Sequence, residues 1–212
     1  MKTRLIFHIF RPRPWLCLCP AAIVLVLALS TASLWAQFMV QRVNLAYLSQ
    51  RADIILQGRV TKVSLEPMPG YGNIPTVAVT VAVDQSIRGV AAKTYTFREV
   101  LIGQKPKSPK KIYGVGQSYL LFLPSPSQYG LSSPIGMGQG RFRIIQDSAG
   151  RTTVMNEHSN AGLFRGVNDA VVQAGRRLTT SQRRLTATER GPVALDEFVS
   201  LVKSLTALPR IR

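Results

Sequence analysis

The segment from Thr76 to Asp84 alternates strictly between two kinds of residue, and it constrains the fold more than any other part of the sequence. Valine occupies every second position, and Thr, Ala or Asp occupies the positions between. An apolar residue at every second position is typical of a β-strand with one buried face. The sequence therefore predicts a strand here, and Arg88 and Gly89 end it.

Further segments show strand patterns, and turn residues separate them. The segment 52–65 changes phase after Val60, which predicts a bulge near Thr61 and Lys62. The segment 118–123 is apolar on both faces, as expected of a strand in the middle of a sheet. The remaining strands are predicted at 93–98, with Tyr95 and Phe97 inward, and in a hairpin of 141–146 and 152–155.

Five or six short strands favour a small barrel or sandwich, and their number fits the five-stranded Greek-key barrel, or OB-fold. We therefore predict a mainly β domain over 53–160, an OB-like barrel of five to six strands, with a loop at 67–75. A lead-in with a short helix precedes it at 37–52. An Arg-rich linker follows at 161–192, and then a short amphipathic helix at 193–208, whose apolar stripe is Leu195, Phe198, Val199, Val202 and Leu205.

Residues 1–36 have the composition of an export signal. Residues 1–20 carry four basic side chains and no acid, residues 21–29 are uninterrupted apolar residues, and small residues follow. We predict cleavage after Ala36 or Ala32. An uncleaved membrane anchor is the alternative, because residues 21–40 approach the ~20 apolar residues that span a bilayer. Either way the rest of the chain faces outward, as a periplasmic or secreted protein or as a single-pass anchored one.

Export also decides the cysteine chemistry and the charge of the remaining chain. Cys17 and Cys19 lie before the apolar core, so a cleaved chain has no cysteine and no disulfide. After Ala36 the chain carries 23 basic and 10 acidic residues, a formal net charge of +13. A chain of about 175 residues is long enough to fold by core burial alone.

Several short motifs occur in an order that resembles a group of exported bacterial proteins of unknown function. They are Ala52–Val60, Ile87–Gly89, Gly116–Leu123 and Gly138–Phe142. The first two are also similar to the netrin-like modules of the tissue inhibitors of metalloproteinases. The resemblance covers roughly residues 45–160 and implies an OB-fold. In those inhibitors an amino-terminal Cys-x-Cys binds the zinc of the target, whereas Cys17 and Cys19 lie in the export segment, so that contact is not implied.

The sequence offers little material for catalysis. His158 is the only histidine after the export segment, and we interpret it as a loop residue. There is no Gly-x-Ser-x-Gly nucleophile motif, and the acidic residues are scattered. The glycine-rich segment 136–140 lacks the Lys-Ser/Thr of a phosphate-binding loop, and we interpret it as a flexible turn. We therefore predict no enzyme activity, no cofactor and no metal site.

Two cationic segments are candidate contacts with an anionic surface such as phospholipid, lipopolysaccharide, teichoic acid or nucleic acid. The first is a Pro-containing loop, and the second repeats arginine at seven-residue intervals. If the second were helical, Arg176, Arg183 and Arg190 would align. The alternative is a solvated tether. The candidate residues are Lys105, Lys107, Lys110, Lys111, Arg176, Arg177, Arg183 and Arg184.

These observations predict an exported, non-enzymatic domain that binds a protein or an envelope polymer. The first alternative is a basic anchor that binds an anionic envelope polymer or nucleic acid, and the second is an enzyme. The membrane is a partner only if the export segment is uncleaved. Strand aromatics can form a stacking platform for single-stranded nucleic acid. Here core positions are the favoured interpretation for these rings, namely Tyr95, Phe97, Tyr119 and Phe122.

Overall fold

The computed structural model describes residues 41–101 and 112–209, and in these ranges it contains seven strands and four helices. The first half comprises α1 (Leu45–Arg51), β1 (Ile54–Met68), β2 (Tyr71–Arg88), β3 (Thr94–Val100) and β4 (Ser118–Leu123). The second half comprises β5 (Arg141–Gln146), β6 (Thr152–Asn156), α2 (Val167–Gln173), α3 (Thr180–Thr186), β7 (Val193–Ala194) and α4 (Leu195–Thr206). The predicted export signal at 1–36 lies outside the described residues.

All seven strands belong to one antiparallel sheet in the order β3-β2-β1-β4-β5-β6-β7. The predicted mainly β class is confirmed, but the strands number seven and the sheet is open, with β3 and β7 at its edges. A loop occupies the outer edge of β3: Leu131 bridges to Arg98, and the Ser132 amide donates to the Arg98 carbonyl at 2.7 Å. Because that edge is already used, β3 is not available to close a barrel with β7.

The hairpin of β1 and β2 is longer than the sequence analysis predicts. The register shifts between Val60 and Lys62, which confirms the predicted bulge. The predicted loop at 67–75 is wrong, because Pro67 pairs with Pro75 and β2 begins at Tyr71. Past Val60, which still hydrogen-bonds to Gly116 and Gln117, β2 is the only described strand that pairs with β1. A proline, which has no N–H to donate, is tolerated in such an edge strand.

The strand β4 supplies side chains to two separate cores, one on each face of the sheet. Leu120 and Phe122 belong to the helix-side core, which the helices cover. Tyr119, Leu121 and Leu123 belong to the second core, which β1 to β4 and the segment before β4 enclose. Five of the six β4 residues are buried, and the strand is fourth of seven in the sheet, so its predicted central position is confirmed.

The helix-side core is built around phenylalanine rings. Phe142 of β5 lies 5.5 Å from Phe122 and 5.0 Å from Phe198 of α4, measured between ring centroids. Such contacts between aromatic rings add to the stabilisation that burial alone gives. The predicted apolar stripe of α4 is confirmed, since four of its residues are buried and Leu195 packs against the core; the buried ones are Phe198, Val199, Val202 and Leu205.

The four aromatic residues for which the sequence favours core positions pack in or against the two cores. Phe97 and Tyr119 are buried in the second core, and Tyr95 is half-buried against it. Phe122 is buried in the helix-side core. Tyr113 joins Phe97 and Tyr119 through edge-on ring contacts at 5.6 and 5.7 Å.

Residues 161–192 form part of the folded unit rather than a linker. They contain α2 and α3 and place six apolar side chains in the helix-side core. α3 begins with a capping box between Thr179 and Gln182, and the Gln182 side chain also donates to Ser204 of α4 at 2.9 Å. The apolar residues are irregularly spaced, because each short helix buries only one or two of them; they are Leu163, Phe164, Val167, Val171, Leu178 and Leu185.

Arg88, the last residue of β2, joins the carboxyl ends of two helices. Its Nη1 donates to the carbonyls of Ser49 and Ala52 at the end of α1, at 2.7 and 2.9 Å. Its Nη2 donates to the carbonyl of Thr206 at the end of α4, at 2.7 Å. The last carbonyls of a helix have no partner within the helix and carry partial negative charge, so a guanidinium satisfies them well. One side chain therefore fixes both helices against the sheet.

We expect Arg88→Met to lower the free energy of unfolding by about 2–4 kcal/mol, because hydrogen bonds from a charged donor contribute about 1.5–3 kcal/mol each and are not additive. Arg88→Lys keeps the charge but has one ammonium for two helix ends, so its loss should be intermediate. Urea unfolding curves measure both changes.

The matched control is Arg59→Met, which removes an exposed arginine from β1. We expect this substitution to change the free energy of unfolding by less than about 0.5 kcal/mol. Equal losses for Arg59→Met and Arg88→Met would show that the helix ends do not depend on the Arg88 guanidinium.

Candidate functional site

The structure describes four of the eight predicted contacts with anionic surfaces. Arg176 and Arg177 precede α3, Arg183 and Arg184 lie in its last turn, and all four side chains are exposed. The predicted loop lysines lie outside the described residues; they are Lys105, Lys107, Lys110 and Lys111.

The long helix that would align the repeated arginines does not form. α3 covers only Thr180–Thr186, so Arg176 precedes it and Arg190 follows it. Gly175 has a φ of +70°, which interrupts helical structure before Arg176. Leu178 is buried and Thr179 caps the new helix, so the chain changes direction between the two arginine pairs. Arg190 consequently joins a different group of arginines.

That group lines a cleft of about 490 Å³, which we call the arginine cleft. Arg42 comes from the segment before α1, Arg165 from the turn before α2, and Arg190 from the turn after α3. The wall between them includes Thr186, Thr188 and Glu189. Three arginines from distant parts of the sequence and one glutamate therefore line the same cleft.

Side-chain amides hold the walls of the arginine cleft in place. The Gln139 side chain accepts from the Val43 amide at 3.0 Å and donates to the Gln41 carbonyl at 2.9 Å, on either side of Arg42. The Asn44 side chain donates to the carbonyl of Arg165 at 3.0 Å. Gln139 itself is buried, so the glycine-rich segment 136–140 is an anchored turn rather than the flexible one we predict from sequence.

The Arg190 wall is held by a turn that contains a buried asparagine pair. Asn160 is fully buried with a φ of +55°, a conformation that asparagine tolerates better than most residues. Its side chain donates to the carbonyl of Gly191 at 2.9 Å and accepts from the amide of Asn156 at 3.0 Å. The amide of Gly191 donates in return to the Ser159 carbonyl at 2.7 Å. This turn fixes the backbone that carries Arg190.

All six arginines of 161–192 are exposed, and none of them forms an ion pair with a carboxylate of the described ranges. The segment contains two acidic residues, Asp169 and Glu189. The carboxylates of Glu66, Asp147 and Glu157 pair with arginines elsewhere, at 3.1, 2.8 and 2.9 Å. The six arginines therefore outnumber the two carboxylates of the segment, and none of them is directly paired with a described carboxylate.

A second polar cluster lies at the border of the second core. The Tyr113 hydroxyl donates to Glu99 at 2.8 Å, and the guanidinium of Arg141 lies 4.8 Å from the centre of the Tyr113 ring. Arg141 also donates to Glu157 at 2.9 Å. Burial raises the pKa of Glu99, while the Tyr113 hydrogen bond and the charge of Arg141 oppose the rise. The cluster links Glu99 of β3 to Arg141 of β5 through the side chain of Tyr113.

His158 lies in a turn, as predicted, with 44 % of its side chain exposed and Nε2 4.0 Å from Glu157. Within the described ranges no group of three or more His, Cys, Asp or Glu side chains is placed to hold a metal ion. Of the helices described, none is long and apolar enough to cross a membrane.

Sequence reasoning did not select Arg42 and Arg165, and nothing in the pattern around them could have done so. Each is a single arginine with no other charged residue beside it, and the two lie far apart in the chain. Arg190 is visible in the seven-residue repeat, but its position in the arginine cleft depends on the Asn160 turn. Comparison with protein-family models, with curated proteins and with solved structures finds no match to this chain.

The raised pKa of Glu99 predicts a pH dependence of stability. A carboxyl whose pKa is higher in the folded state favours folding most when it is protonated, so its contribution is lost as pH rises through that pKa. We expect the stability of the wild type relative to Glu99→Gln to fall as pH rises above 4.5, the ordinary pKa of a glutamate carboxyl. Urea unfolding at several pH values measures the difference.

Glu66→Gln is the control of opposite sign. Hydrogen bonds from Ser64 and Arg98 lower the pKa of Glu66, so its contribution is present at neutral pH and is lost as pH falls. The wild type should therefore gain stability relative to Glu66→Gln as pH rises towards 4.5, the ordinary pKa of this carboxyl. A gain relative to Glu99→Gln as well would contradict the assigned environment of Glu99.

Proposed function

We propose that this protein is an exported, non-enzymatic binding domain that attaches to an anionic polymer of the cell envelope through its exposed arginines. The observation that carries the proposal is the set of six exposed arginines in 161–192, which form no ion pair with a described carboxylate. The basic and apolar composition of residues 1–36 supports the outward location.

The helices and turns that carry these arginines pack against the helix-side core. This packing favours a binding surface over a solvated tether. Val167 and Val171 of α2 and Leu185 of α3 are buried in the helix-side core. A charged surface held by such packing loses little conformational entropy when a partner binds. Several positive charges of fixed position also create a potential that attracts a polyanion from a distance.

The burial of the strand aromatics favours an envelope polymer over single-stranded nucleic acid. Binding of single strands uses exposed aromatic rings on which bases stack. Here Phe97, Tyr119 and Phe122 are buried in the two cores. The resemblance to exported bacterial proteins and to netrin-like modules stays a prediction, and it agrees with a binding role.

The test replaces Arg176, Arg177, Arg183 and Arg184 together with Gln in the full chain and measures cosedimentation with envelope fragments of the source cell. Each arginine near an anionic surface contributes on the order of 1 kcal/mol, so we expect at least about a tenfold loss of affinity. Wild-type binding should also fall when salt is raised to about 0.5 M, which screens surface charge.

The matched control replaces four exposed cations in or next to strands of the sheet with Gln and so changes the net charge equally; they are Arg59, Lys62, Lys93 and Arg143. This variant should bind within about twofold of the wild type, because the contact is local. Equal losses in both variants would contradict an arginine surface. Preference for single-stranded DNA over envelope fragments would contradict the proposed polymer. A parallel variant with Gln at the four loop lysines measures how much these lysines contribute to binding of the envelope fragments.

A further inference from the structure

We propose that the arginine cleft is a binding site for a phosphate monoester group, with Arg42, Arg165 and Arg190 as its ligands. The inference rests on the proposed function and goes one step further, because it names the chemical group and a site separate from the arginines of α3. It is carried by three arginines from separate parts of the sequence that line one cleft of about 490 Å³.

The charge of the cleft suits a dianion. Three arginines and one carboxylate, Glu189, line it. None of the three arginines forms an ion pair within the described ranges, so their charge is available to a ligand. A phosphate monoester carries about −1.5 to −2 charges at neutral pH, whereas a carboxylate carries one. The excess of positive charge therefore favours phosphate over a single carboxylate.

The donor geometry also favours phosphate. A guanidinium presents a planar fork of N–H donors that binds two oxygens of a phosphate or carboxylate at once. A carboxylate has two oxygens and is filled by one or two such forks, whereas a phosphate monoester offers three terminal oxygens in a tetrahedral arrangement. Three arginines from three segments of the chain can supply one such fork for each of these oxygens.

Each of the three segments is fixed before any ligand arrives. Gln139 holds the backbone on both sides of Arg42, and Asn44 holds the Arg165 carbonyl. The Gly162 amide donates to the carbonyl of Glu189 at 3.3 Å, next to Arg190. A site whose backbone is already ordered keeps more of its interaction energy as affinity. The cleft therefore differs from a chance meeting of flexible side chains on a mobile loop.

The volume indicates that phosphate is only part of the ligand. A cleft of about 490 Å³ exceeds what a single phosphate group fills, and the threonines Thr186 and Thr188 line it beside the arginines. Hydroxyl groups next to arginines suit a sugar, whose own O–H groups can hydrogen-bond to them. The proposed ligand is thus a sugar phosphate group of the envelope polymer, with free phosphate as the simplest member of the same chemistry.

The test is isothermal titration of the full chain with mannose 6-phosphate, inorganic phosphate and acetate. We expect the wild type to bind mannose 6-phosphate more tightly than acetate. The triple variant Arg42→Gln/Arg165→Gln/Arg190→Gln should bind mannose 6-phosphate at least about tenfold more weakly than the wild type. The control Arg59→Gln/Lys62→Gln/Lys93→Gln removes the same charge outside the cleft and should change the affinity for mannose 6-phosphate by less than about twofold. Tighter binding of mannose 6-phosphate than of inorganic phosphate supports a polymer-borne group, and equal binding supports free phosphate.

Equal loss of affinity in the cleft variant and the control would show that the arginine cleft is not the binding site. If acetate bound as tightly as mannose 6-phosphate, the proposed preference for phosphate would be wrong. The single variant Arg190→Gln gives a second measurement if the triple variant unfolds, and it should weaken binding by about threefold or more. Failure here is distinguishable from failure of the proposed function. The latter appears as unchanged sedimentation of the α3 arginine variant, whatever the phosphate titration gives.

Discussion

The Arg88 guanidinium binds the ends of two helices, and these helices hold the segments that carry the exposed arginines. It donates to carbonyls at the end of α1 and at the end of α4. α1 in turn begins at Asn44, whose side chain holds the Arg165 carbonyl. α4 holds α3 through the hydrogen bond from Gln182 to Ser204. The walls of the arginine cleft and the arginines of α3 therefore both depend on helices that Arg88 fixes to the sheet.

The sheet can carry such a surface because both of its faces are buried near the centre. The helix-side core and the second core share β4, whose residues alternate between them. Burial of this apolar area offsets the repulsion among the exposed arginines, which is weakened further by solvent and salt. Arg183 and Arg184 lie in the last turn of α3, where the partial negative charge of the helix end favours them. Repulsion within the positive surface therefore lowers the free energy of unfolding only slightly.

Much of the fold follows from local sequence patterns, and the rest depends on contacts between distant segments. The alternation at Thr76–Asp84, the apolar β4 segment and the stripe of α4 predict elements that the structure contains. The two short helices in 161–192 are missed because each buries only one or two apolar residues, too few to give a period. The closed barrel is wrong because the loop at Leu131 and Ser132 occupies the β3 edge. The cleft is missed because Arg42, Arg165 and Arg190 meet only in the folded chain.

The most direct measurement of the central claim is arginine footprinting of the full chain bound to envelope fragments, with a dicarbonyl reagent and mass spectrometry. The account predicts that binding slows modification at the arginines of the cleft and of the segment 176–184, while Arg59 and Arg143 react at unchanged rates. The protected residues are then Arg42, Arg165, Arg176, Arg177, Arg183, Arg184 and Arg190. Protection spread equally over all exposed arginines, or confined to Arg59 and Arg143, would contradict it.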